Sequence, residues 1–140
     1  MNEKELIKLT VYKFYEKATA DFLIGHHFRK IQEFTGDNVL APPMAAFSHH
    51  LPRINQFWEM QLLGKPDTPL EKPFNLIMAH EYLHIRVGEV GRWVTLFKET
   101  IAQVRKDRPD FDELFDEWLS RIDVFNDIFL RSKIVRSNQG

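Results

Sequence analysis

Late in the chain, apolar residues recur every three or four positions: Phe111, Leu114, Phe115, Trp118, Ile122, Phe125 and Phe129. That spacing lines one face of a long helix and cannot line one face of a strand. The same period appears at Ile7, Val11, Phe14, Tyr15 and Ala18. From Ala45 to Leu63 it predicts a helix with Phe47, His50, Leu51, Ile54, Phe57, Trp58, Gln61 and Leu62 on one face. Pro52 falls near its start, where the missing N–H costs least, and Gly64 ends it. Val90, Trp93, Val94, Phe97, Ile101 and Val104 make a further helix, closed by Pro109. Strand alternation is absent, so the expected class is all-α. About five or six helices of this size need a common core.

Between these segments the signals are those of turns. Phe22 to Phe34 is apolar but interrupted by Gly25, which predicts short helical turns. Thr35 to Pro43, with Gly36, Asp37, Asn38 and Pro42-Pro43, reads as a loop. Lys65 to Pro73 is a polar connector carrying Pro66, Pro69 and Pro73. Phe74 to His84 reads as a short helix or turn series that stops before Gly88. Asp110 with Glu113 resembles a capping box at the start of the last helix.

Composition narrows the function classes. A chain of 140 residues is the size of one domain, expected to span residues 1–140. Aromatic residues reach 13%, with 12 Phe, enough to fill a core and still line a cavity. The net charge of −1 gives no general attraction for nucleic acid or an anionic membrane. There is no Cys, so thiolate metal sites and disulfides are excluded, and any metal must be held by His or carboxylate. The N-terminus lacks the apolar stretch of a signal peptide, so the expected location is the cytoplasm.

The segment His80-Glu81-Tyr82-Leu83-His84 allows two metal chemistries. As HExxH it matches zinc peptidases, in which two imidazoles four residues apart grip the ion and the Glu acts as general base. Such a site needs a third ligand. The extended pattern would place Gly at position 87 and His at position 90, where this chain has Val87 and Val90. Glu89 or Glu99 could serve, but nothing in the sequence singles either out.

The second chemistry rests on an ordered set of residues along most of the chain. Phe14-Tyr15 is followed by Asp21, Leu23 and Phe28. His50-Leu51-Pro52 leads into Phe57-Trp58 and Leu62-Leu63-Gly64. His80, Leu83 and Ile85 precede Arg92-Trp93, Leu96-Phe97 and Glu99-Thr100. This set, spanning residues 5 to 130, resembles the group III truncated haemoglobins, a family of small bacterial globins. The connector between Gly64 and His80 is longer than that family's pattern.

The resemblance implies a truncated globin, a two-over-two helical sandwich around one b-type haem (iron protoporphyrin IX). His80 matches the proximal iron ligand. Tyr15, His50 and Trp93 match polar positions of the distal pocket, Ile54 an apolar distal position, and Phe28 an aromatic packed on the porphyrin. The implied function is reversible binding of dioxygen, nitric oxide or carbon monoxide. Nitric oxide detoxification or peroxidase-like turnover, with a reductase as partner, is a further chemical role. His50 could also supply a sixth iron ligand. Phenol, imidazole and indole groups can all donate to a ligand that draws negative charge. The alternatives are the zinc metallopeptidase and a haemless globin-fold regulatory protein. The adjacent pairs His26-His27 and His49-His50 are not expected to chelate a metal, because neighbours on a helix point in different directions.

Overall fold

The computed structural model describes residues 1–29, 44–64 and 85–131. Five α-helices are present among them: α1 (Glu3–Thr19), α2 (Gly25–Arg29), α3 (His50–Leu63), α4 (Val87–Asp107) and α5 (Asp112–Arg131). Short 3-10 turns at Met44–Phe47 and Pro109–Phe111 precede α3 and α5. No strand occurs among the described residues, so the chain is all-α. None of the described helices is long and apolar enough to cross a membrane. The loop expected over 35–43, the connector over 65–73 and the short helix over 74–84 lie outside the described residues.

Each helix follows from local chemistry. Asn2 caps α1, its side chain accepting the Glu5 N–H at 2.9 Å, and Glu3 and Glu5 favour the positive end of the helix dipole. The expected face of α1 is buried: Ile7, Val11, Phe14, Tyr15 and Ala18, joined by Leu6, Thr10 and Thr19. The two threonines are buried without an orphaned hydroxyl, because Thr10 and Thr19 bond back to the carbonyls of Leu6 and Tyr15, each at 2.8 Å. Gly64 ends α3 at φ 83°, the left-handed region that glycine enters without strain, and its N–H bonds the Met60 carbonyl at 3.1 Å.

Three boundaries differ from the sequence reading. The helix expected from Ala45 is divided: a 3-10 turn ends at Phe47 and α3 starts at His50. Pro52 accounts for the division, since its ring would collide with the Ser48 carbonyl in a continuous helix. α4 starts at Val87 and runs through Gly88 and Gly91, so neither glycine marks a break. The last helix begins at Asp112, after the turn that Pro109 opens, and not at an Asp110 cap.

The long helices pack around one core. α1 lies against both α3 and α4, and α5 lies against both α4 and α3. α2 packs on α1. At the centre, Trp58 of α3, Phe97 of α4 and Trp118 of α5 form a triangle with ring centroids 5.4–5.6 Å apart. Phe125 closes on Trp58 at 5.5 Å. Trp118 is fully buried, and its indole N–H has no partner among the described residues. Arg105 fastens the α4–α5 corner from outside, reaching Asp112 at 2.7 Å and Asp116 at 2.9 Å.

Trp118 tests this core. Trp118→Ala is expected to cost about 3–5 kcal/mol in denaturant unfolding, the usual range for emptying a large aromatic site. Trp118→Phe should cost clearly less, because it also removes a buried N–H that lacks an acceptor.

Candidate functional site

Two adjacent aromatics of α1 shape the site. Phe14 and Tyr15 are both buried, yet on a helix they point in different directions. Phe14 turns to α4, stacking on Phe97 at 4.3 Å and meeting Trp93 edge-on at 6.2 Å. Tyr15 turns to α3, and its hydroxyl lies 2.9 Å from Nε2 of His50, the first residue of that helix. Phe28 of α2 meets both rings edge-on, at 5.8 Å from Phe14 and 5.2 Å from Tyr15. Phe47 covers Tyr15 from another side at 5.9 Å. Ile54, one turn beyond His50, is half-buried against the same core.

Of the residues expected to form a pocket, Tyr15 thus touches both His50 and Phe28, and Trp93 joins them through Phe14. Ile54 lies on the same helix as His50. His80, the expected iron ligand, lies outside the described residues, as do Glu81 and His84 of the HExxH reading.

An ion pair anchors α4 beside this cluster. Both Nε and Nη2 of Arg92 donate to Oδ1 of Asp21, at 3.0 and 2.8 Å. The other oxygen, Oδ2, accepts the N–H groups of Leu23 and Ile24 at 3.0 and 3.1 Å, which shapes the turn into α2. Burial pushes the Asp21 carboxyl upward. The Arg92 hydrogen bond, the Ile24 and Leu23 amides and the attraction of the guanidinium outweigh it, leaving the group below its ordinary value of 3.8. Arg92 is raised in return, chiefly by its hydrogen bond to Asp21. The sequence reading named both residues without pairing them. They stand 71 positions apart, and no periodicity relates them.

A second polar group was not expected. Nε2 of His26 and Nε2 of His27 approach the same oxygen, Oε2 of Glu89, at 3.3 and 2.9 Å. Neighbouring histidines therefore do converge here: Glu89, near the start of α4, sits where both rings of the short helix α2 can reach it. The other oxygen, Oε1, accepts the Arg86 N–H at 2.8 Å and so caps α4. Burial raises the Glu89 carboxyl. The Arg86 amide, the His27 hydrogen bond and the attraction of His27 and His26 together leave it lowered.

Comparisons of the chain with models of known families, with curated proteins and with solved structures find no match.

The Asp21 anchor makes a pH-dependent contribution. Because the folded carboxyl titrates below 3.8, its stabilisation is complete above that value and is lost as the pH falls through the lowered folded value. Asp21→Asn should destabilise the fold by about 1–2 kcal/mol at neutral pH, allowing for the partly exposed guanidinium. The gap between wild type and variant in urea unfolding should narrow below pH 3.8.

Proposed function

We propose that this chain is a cytoplasmic single-domain truncated globin of the group III kind, a two-over-two sandwich that holds one b-type haem and reversibly binds dioxygen or nitric oxide. His80 is the proposed iron ligand on the proximal side. The observation that carries the reading is the 2.9 Å contact between the Tyr15 hydroxyl and His50, set among Phe14, Phe28 and Phe47 with Trp93 beyond. Four long helices around one core, α1, α3, α4 and α5, are compatible with that arrangement.

The donor set suits the group. A porphyrin offers broad apolar faces, which the partly buried ring of Phe28 would complement. Haem supplies reversible ligation of a diatomic molecule at iron. The chain's own part is to orient that ligand and keep water from it. Where the His50 proton sits on Nε2, the imidazole donates to the Tyr15 oxygen, and the phenol proton can turn toward the ligand. Where Nε2 is bare, Tyr15 donates to His50 instead. The tautomer of one histidine thereby sets whether the phenol is a donor into the pocket. Ile54 and Phe28 supply the apolar wall.

A haemin titration tests the proposal. One haem per chain, with an intense Soret band that His80→Ala abolishes, is the expected result. No Soret band with haemin supplied would overturn it. In the carbon monoxide and dioxygen forms, Tyr15→Phe should speed dioxygen release by about tenfold, the equivalent of one hydrogen bond of about 1.4 kcal/mol. An unchanged rate in stopped-flow exchange would remove Tyr15 from the ligand's surroundings.

A further inference from the structure

The cluster of His26, His27 and Glu89 joins α2 to the start of α4 and makes no use of the proposed haem. Its donor atoms, two imidazole nitrogens and a carboxylate oxygen, all lie within 4.8 Å of one another. Around a tetrahedral ion bound at about 2.0–2.1 Å, neighbouring donors stand about 3.3 Å apart. His26 Nε2 is 3.3 Å from Glu89 Oε2, and His27 Nε2 is 2.9 Å from it. The two distances to Glu89 lie at and just inside that spacing, and the imidazole nitrogens stand within 4.8 Å of each other, so small shifts would bring all three groups around one ion.

Burial and charge point the same way. His27 and Glu89 are buried, their side chains 9% and 10% exposed. A buried carboxylate is costly unless compensated, and a divalent cation compensates it more fully than a hydrogen bond does. Glu89 is held for the task, since the Arg86 N–H fixes Oε1 and leaves Oε2 toward the histidines. Outer hydrogen bonds of this kind orient ligating carboxylates in metal sites. His27 is set by its own backbone, whose N–H bonds the Ile24 carbonyl at 3.1 Å. Its Nδ1 is buried and has no partner among the described residues, so Nε2 is the nitrogen that makes its polar contact. His26 is the exposed member, which leaves one side of the cluster open to water.

We propose that His26, His27 and Glu89 form a binding site for a divalent transition-metal ion of the zinc class, with water in the fourth position. Nitrogen and oxygen donors without thiolate suit zinc, cobalt or nickel and disfavour softer ions. On binding, each neutral imidazole presents the Nε2 lone pair and carries its proton on Nδ1, while the carboxylate stays ionised. The ion replaces one hydrogen bond and one ion pair to Glu89 Oε2 by three bonds to itself and joins α2 to the start of α4.

Cobalt(II) and zinc(II) titrations of the full chain test this site. Cobalt should give the visible bands of a four-coordinate ion at one equivalent, and zinc should displace it. His26→Ala changes an exposed residue and leaves the fold intact. It should weaken zinc binding by more than the 10–100-fold that loss of an outer-shell partner costs. Glu89→Gln should do the same and serves as the second variant. His80→Ala and His84→Ala should bind zinc as the wild type does, whether or not they retain haem. Loss of binding in those two variants would place the ion at the HExxH segment and overturn the proposal. Wild-type affinity in His26→Ala, or no cobalt bands in the wild-type chain, would overturn it as well.

Discussion

A buried phenol needs a partner, and meeting that need shapes the middle of this molecule. Tyr15 is enclosed by aromatic rings on α1, α2 and the turn before α3. Its hydroxyl would cost about 1–3 kcal/mol if left without a hydrogen bond. His50 supplies the bond at 2.9 Å, and it does so from the first turn of α3. The position of that turn is governed by Pro52, which prevents α3 from extending back through Ser48. A proline in the third place of a helix thus determines which residue faces the phenol. Phe14, one position earlier and about 100° round the helix, commits the adjoining side of α1 to α4.

The short helix α2 is held on different terms. Five residues are too few for a helix to be stable alone. Apolar burial comes from Ile24 and Phe28 alone, since Phe22 is fully exposed and Leu23 partly so. Polar contacts add to it. The Asp21 carboxylate accepts two amides of the turn, Arg29 donates to the Thr19 carbonyl at 2.7 Å, and His27 reaches Glu89. Gly25 allows the approach, since a Cβ there would lie 2.9 Å from the Thr19 carbonyl oxygen. Phe28, a wall of the proposed pocket, is therefore positioned by charge and hydrogen bonding as well as by its contacts with Phe14 and Tyr15.

What could be read from the sequence was what carries a period. The buried faces of α1, α4 and α5 follow from residues spaced by three and four, and Leu114, Phe115, Trp118, Ile122, Phe125 and Phe129 are all buried in α5. The resemblance assigns Tyr15 and His50 to a distal pocket and Phe28 to the porphyrin; in the fold Tyr15 meets both His50 and Phe28. Boundaries were less legible where proline and glycine act in opposite senses: Pro52 divides a helix, whereas Gly88 and Gly91 lie within one. The polar ties were not legible. Asp21 meets Arg92 across 71 positions and His27 meets Glu89 across 62, and single charges carry no period to reveal such pairs.

One regularity does connect the ties to the pocket. Glu89, Arg92, Trp93 and Leu96 stand at intervals of three, one and three, which places them along one face of α4. The first two are polar and bind α2 and the turn before it. The next is the tryptophan that meets Phe14, and Phe97 follows with the stacked contact. A shift of α4 by one residue would rotate this face by about 100°. It would separate Glu89 from His27 and Arg92 from Asp21 at once, and would turn Trp93 away from Phe14. An aromatic contact tolerates a range of angles, but a guanidinium with two donors on one oxygen does not. The two polar ties therefore fix the rotation of α4 about its axis, and with it the direction in which Trp93 faces the cluster around Tyr15.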